Sequence, residues 1–494
     1  MIFKDEKDNK NFYMTLVISF FYILPIIISN RYQVDDVGRS LDGYTGWAKN
    51  GRPLADIISS ILSFGTPLPD SSPLGLILGV VILCLCLSIY AKENFSTIDN
   101  KNGYLFLFLF VANPFFIENL SFKFDVLTMC LSAGLIFLVY SLPKKTIWYT
   151  FGIILTTSSL MLYQASIGLY PILAIISLLH LGKHNKDIKG QFSELSIRVI
   201  VLFIAYLITH LLTYKYVATH DYSKIHSEII PFGKEGLEIL RNNYLRSISI
   251  MNLYFRSTPQ LVVFLYAILF YILYSLHIFK ISKDLGRGLA KAVLVAFYMT
   301  LPVFVFSFSF LHIALLKLPV WNARVFISFG GFLLFVGGIT FSVTKSNIVR
   351  FVILTPIIYL SFLHMYAFGN ASSAQGKNDD IVMSSLSYDI KHIRNKKTEL
   401  SIYGWMPRAR PLEKTIERLP LVRSLVPMFL GTNNFWGGTK LRHYDINLKF
   451  TGLTDADYTI MCREKPLIIS DSYSIFMNGE KIILSFSKPN CKNS

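Results

Sequence analysis

Asp35 and Asp36 stand side by side in RYQVDDVGRSLDGYTGWAKNGRPLAD, residues 31–56, with Arg39 and Arg52 close behind. A carboxylate can take the proton of an attacking hydroxyl. A guanidinium can steady a departing phosphate. Inverting glycosyl transfer needs both. In an extended segment, neighbouring side chains point to opposite faces. One Asp would then face a substrate while the other orients the loop or pairs with Arg39. A solvated acidic loop is the plainer reading of the same residue types.

A second polar stretch, NPFFIENLSFKFD at 113–125, offers Glu118, Lys123 and Asp125. A charge at the bilayer centre costs about 2.5–3.5 kcal/mol or more. Asp125, at the head of an apolar run, is therefore either interfacial or paired. Tyr163 and Gln164 lie in a turn with almost no other polar group, where they could donate hydrogen bonds to a sugar or a phosphate. Lys215, Lys224, Arg241, Arg246 and Arg256 make 215–258 basic. That suits a lipid phosphate or anionic lipid in general. Arg324 in PVWNAR is a further phosphate candidate, with Trp321 beside it as an interfacial anchor. The catalytic candidates are thus Asp35, Asp36, Glu118 and Asp125. The binding candidates are Arg39, Arg52, Lys123, Tyr163, Gln164, Arg256 and Arg324. No metal-ligand spacing, phosphate-binding loop, dinucleotide fingerprint or nucleophile elbow occurs, so no cofactor is assigned and the metal stays unknown.

Apolar runs must position these residues. Of 494 residues, 52% are hydrophobic, and the mean hydropathy is +0.46. Several runs reach the roughly 18 apolar residues that cross a bilayer. The pattern predicts a polytopic α-helical membrane protein. About eleven spans are expected, near 12–30, 72–91, 103–117, 124–142, 146–162, 165–181, 195–214, 259–279, 292–313, 324–343 and 350–368. The first is too long, and too poorly followed by small residues, for a cleaved signal. With the N-terminus cytoplasmic, the inner loops hold Lys4, Lys7, Lys10, Lys92, Lys101, Lys144, Lys145, Lys183, Lys186 and Lys189. They also hold Lys280, Lys283, Arg287, Lys291, Lys345 and Arg350, as the positive-inside rule requires. The net charge of +17 is spread over these loops. It forms no basic stripe, which excludes a nucleic-acid partner.

The outer pieces are then 31–71, 118–123, 215–258 and a tail from 369. Residues 53–66 have helical apolar spacing and predict an interfacial helix able to shape a lipid entrance. The chain divides into a membrane module, 1–368, and a small periplasmic α+β domain, 369–494. In that domain 399–403 reads as a strand and 412–430 as an interrupted helix. Residues 472–476 and 481–486 flank a turn at Asn478-Gly479. Cys84, Cys86 and Cys130 lie in apolar runs, whereas Cys462 and Cys491 could pair if the tail is outside. No internal or inverted repeat is present.

The words DDVGRSLDGYTGWAKNGRPLAD, NPFFIENLSFKFD and YQAS, in that order, resemble the Gtr type II family. These are serotype-converting O-antigen glucosyltransferases of enteric bacteria and their bacteriophages. Asp35, Asp36, Arg39, Gly51, Arg52, Pro53, Glu118 and Asp125 fall on its pattern, whereas the tail carries no catalytic word. The resemblance implies a GT-C-like fold in the bacterial inner membrane. It implies an undecaprenyl-phosphate glucose donor and a lipid-linked O-antigen acceptor. It also implies a donor flippase and a cytoplasmic donor synthase as pathway partners. Some proteins of this architecture use a divalent cation at the acidic loop, which is left open here. A lipid-linked sugar flippase and an O-antigen polymerase or ligase are the alternatives. Spans nearly free of carboxylates speak against a transporter.

Overall fold

The computed structural model describes residues 3–95, 102–143, 145–179, 188–214, 221–283, 288–393, 398–489 and 491. Lys101, Lys144, Lys183, Lys186, Lys215 and Arg287 lie outside the described residues. The chain opens with α1, Glu6–Ser29. The polar segment after it holds α2, Val34–Asp42, and α3, Pro53–Leu62. There follow α4, Leu74–Asn94; α5, Gly103–Val111; α6, Phe116–Ser121; α7, Val126–Ser141; α8, Thr146–Leu162; and α9, Leu169–Leu178. Next are α10, Ile188–Thr209; α11, Asp221–Ile225; α12, Lys234–Phe255; α13, Gln260–Ser282; α14, Leu289–Phe308; and α15, Leu311–Ala314. The membrane-type part closes with α16, Phe329–Val343, and α17, Asn347–His392.

Among the described residues, seven helical stretches are long and apolar enough to cross a membrane: α1, α4, most of α10, α13, most of α14, 323–343 and α17. Each of the eleven expected spans contains a helix, but α5, α7, α8 and α9 are too short to count among the seven. α5 ends at Val111, just ahead of Asn113-Pro114, because the ring of Pro114 cannot continue a helix. Part of the expected second loop is helix α6. Half of the expected loop 215–258 is the 22-residue α12.

Small residues set the closest crossings, as in other bundles held by close packing. A Cβ at Gly79 would lie 3.2 Å from Cys130 Sγ, and one at Gly134 would lie 3.0 Å from Cys86 Sγ. These cysteines are packing groups between α4 and α7. A Cβ at Gly369 would meet Pro25 at 2.4 Å, so α1 and α17 nearly touch where α1 ends.

α17 does not stop at the expected boundary. It runs 46 residues, and beyond Gly369 it becomes polar without becoming less helical. Hydropathy falls there, but no proline or left-handed cap follows until His392. Val382, Met383, Leu386 and Ile390 on its outer part enter the C-terminal core. That core backs a five-stranded sheet made of β1, Glu399–Tyr403; β2, Lys449–Phe450; β3, Ile468–Ile469; β4, Ser474–Asn478; and β5, Lys481–Ser485. The strand order is β2-β1-β5-β4-β3, with β1 parallel to both neighbours and β4–β5 a hairpin. The interrupted helix is α18, Arg410–Arg418, and α19, Val422–Leu425. α20, Phe435–Leu441, and α21, Asp455–Arg463, complete the domain. Cys462 and Cys491 are joined by a disulfide.

The C-terminal domain is seated on α2. Val37 lies in the same apolar core as Val382, Leu430 and Leu441. Arg31 Nη2 donates to Asp379 Oδ2 at 2.6 Å and to Pro427 O at 2.6 Å. Gln33 Nε2 donates to Leu425 O at 3.3 Å. Arg442 grips Asp42 through two hydrogen bonds of 2.7 and 2.9 Å. The first polar segment and the C-terminal domain therefore occupy one end of the helical bundle.

Candidate functional site

Residues 34–42 form a helix rather than the extended segment expected, because both ends carry stop signals. Gln33 caps the start and Asp36 reaches back to it in a capping box, while Gly43 closes the end at φ +60°. Asp35 and Asp36 are then about 100° apart around α2. Asp36 is fully buried. Its Oδ2 accepts from Gln33 N at 3.1 Å and Lys123 N at 2.9 Å, and its Oδ1 from Phe124 N at 3.3 Å. It thus ties α2 to the second polar stretch. Burial pushes Asp36 up to about 7, against the backbone donors of Lys123, Gln33 and Phe124, which favour the charged form.

Asp125 is the centre of the cluster. Its Oδ1 accepts from Trp47 Nε1 at 2.7 Å and Arg52 Nη1 at 2.8 Å, and its Oδ2 from Arg39 Nη1 at 3.1 Å. Burial raises its pKa, but the two guanidinium groups outweigh that and hold it below the ordinary range. Arg39 therefore pairs with Asp125 and with neither neighbouring Asp. It also stands 4.1 Å from the centre of the Trp47 ring. Arg52 Nε donates to Leu162 O at 2.7 Å, which brings the end of α8 to the site.

Glu118, on α6, accepts from Arg324 N at 2.8 Å and Arg324 Nη1 at 3.4 Å. Burial raises its pKa despite Arg324. Tyr163 donates to Arg324 O at 3.0 Å, and Arg52 stands over its ring. Gln164 donates to Gly51 O at 3.0 Å, so it braces the first segment. Lys123 Nζ donates to Asn30 Oδ1 at 2.6 Å and lies 4.0 Å from the centre of the Tyr32 ring. Arg256 is not brought to the cluster by any described contact. It is exposed at the end of α12.

Asp35 differs from the other three acids. It is half-buried, and among the described residues its carboxylate makes no hydrogen bond or ion pair. Its charge acts on Glu118, Arg324 and Tyr44, which places it at the edge of the same cluster. Among the described residues no group of three or more His, Cys, Asp or Glu could hold a metal ion. Asp36, Glu118 and Asp125 are all committed to N–H donors. The donor set does not fit a resident divalent cation.

Sequence reasoning missed Trp47 as the third donor to Asp125. It also missed Asp56, which accepts from the backbone N–H groups of Gly46, Trp47 and Ala48. The signal for Trp47 was there: an indole in a polar segment needs an acceptor.

Helices of membrane length, with carboxylates and arginines gathered at one end, define a membrane-type helical protein with a polar site at that end. The chain belongs to the glucosyl transferase GtrII family, whose model matches residues 24–335 and so contains all four acids. A protein of Salmonella phage P22, described as an uncharacterized 55.3 kDa protein in the gtrB 5′ region, is 30% identical over 427 residues. That alignment covers 85% of this chain and 87% of the phage protein. No solved structure matches the chain.

Proposed function

We propose that the chain transfers glucose from undecaprenyl-phosphate glucose to lipid-linked O-antigen repeat units, with inversion, on the periplasmic face of the bacterial inner membrane. The observation that carries the mechanism is the uncommitted carboxylate of Asp35, whose charge acts on Arg324 and Glu118. Asp35 takes the proton of the acceptor hydroxyl. The acceptor oxygen bonds to the anomeric carbon as the carbon–oxygen bond to phosphate breaks. Arg324, whose side chain is 18% exposed, and Arg52, at 12%, steady the leaving phosphate. Asp36, Asp125 and Glu118 position the surrounding groups.

The family match supports glucosyl transfer. The exposed Ile57, Ile61, Leu62 and Phe64 on and after α3 support an interfacial helix that admits a lipid substrate. A disulfide in the C-terminal domain suits an oxidising compartment. In this reading the fold is GT-C-like, and a donor flippase and a cytoplasmic donor synthase act upstream. Asp35→Asn should lower glucosylation of O-antigen about 10²–10⁴-fold with normal membrane insertion. Mass and linkage analysis of O-antigen from cells carrying the variant measures this. Intact glucosylation would remove Asp35 from the mechanism.

A further inference from the structure

We infer that Arg31 and Lys440 form an anion site for a phosphate group, separate from the Asp35 cluster. Arg31 leaves the end of α1, where a membrane headgroup would lie. Its side chain is 8% exposed and only Nη2 is used, toward Asp379 and Pro427 O. Nε and Nη1 are buried without a partner. A buried donor left unpaired is costly, so these N–H groups call for an acceptor.

Lys440, on α20, meets Arg31 at the same ring. Phe429 lies 5.3 Å from the Arg31 guanidinium and 5.6 Å from Lys440 Nζ. Lys440 is half-buried, and among the described residues its ammonium makes no hydrogen bond or ion pair. The charges of Arg31, Lys123, Asp379 and Asp380 all act on it. Formal charge is therefore close to balanced, and net charge is not the argument. Hydrogen-bonding capacity is unbalanced. Asp379 already accepts from Arg31 and Gln375, and Asp380 from Tyr444. Three N–H bonds of Arg31 and three of Lys440 remain. A tetrahedral oxyanion with several acceptors satisfies both in a way one water cannot.

The site faces the C-terminal domain, whereas Asp36 and Arg39 on α2 face the second polar stretch. It does not depend on glucosyl transfer. The phosphate could come from a lipid headgroup or from solution, and two probes separate these. Full-length protein in detergent is titrated with inorganic diphosphate. The same protein in phosphatidylcholine nanodiscs is titrated with polyprenyl monophosphate. Lys440→Gln, which removes no hydrogen bond, should weaken binding of one probe at least about tenfold. Arg31→Lys should do the same, and exposed Lys49→Gln should not. Lys440-dependent binding of diphosphate indicates a soluble source, and of the lipid alone a headgroup. If neither probe binds in a Lys440-dependent way, the site does not exist. Should Arg31→Lys fail to fold, the Lys440 comparison decides alone.

Discussion

Four acids crowd one end of this protein, and their partners give each a different task. Asp36 shows this most plainly, since its acidity should be visible in the stability of the fold. Its pKa is near 7 in the folded chain, against about 3.9 when unfolded. The folded chain thus binds more protons between those values, and this group's contribution to stability falls as pH rises from about 4 to about 7. Asp125 has the opposite sign: its contribution stands above the unfolded value and is lost as pH falls. Asp36→Asn should therefore remove a downward slope. The thermal midpoint of wild type, less that of the variant, should decrease from pH 5 to pH 8. A difference that is flat or rises with pH would reject the assignment. The residue types at 31–56 and 113–125 were legible in the sequence, and those two stretches do meet. Which Asp is buried was not, because it depends on the turn of α2. The partner of Arg39 was not legible either, since Asp125 lies 86 residues away. Arg256 is exposed at the end of α12, and no described contact brings it to the cluster.

Elements were easier to read where local chemistry decides. Asn478-Gly479 marked the β4–β5 hairpin, and Pro420 divides α18 from α19. α17 runs on past residue 368, because it loses apolarity there but not helical propensity. α2 was missed although Gln33 and Gly43 mark its ends; Val37 and Gln33 also lean on the C-terminal domain. Two ion pairs anchor this contact, and their burial separates their worth. Asp379→Ala leaves the Arg31 guanidinium buried and should destabilise the fold by about 3–5 kcal/mol. Asp42→Ala breaks the exposed pair with Arg442 and should cost under about 1 kcal/mol. Denaturant unfolding in detergent distinguishes them. Equal losses would mean that the contact is not organised around Arg31.

The family match ends at residue 335, before α17, so the four acids lie inside it and the C-terminal domain outside. Yet the domain and α2 share a core. The molecule is one machine at that end rather than a catalytic bundle with an appendage. Since α1 and α17 both deliver their chain to the same end, the crossings must be odd in number if the N-terminus lies on the opposite side. Seven and eleven both meet that condition.

The 46 residues of α17 make a rod about 69 Å long, against a hydrocarbon layer of about 30 Å. It is more than twice as long as that layer is thick, and beyond Pro356 it carries no proline. It works as a gauge bar, fixing both the height and the bearing of the domain above α2. One residue inserted after Gly369 should swing the domain by about 100°, and seven should nearly restore the bearing but lift it about 10 Å. Both insertions should abolish glucosylation while leaving membrane insertion intact. Activity that survives either would show that the rod bends.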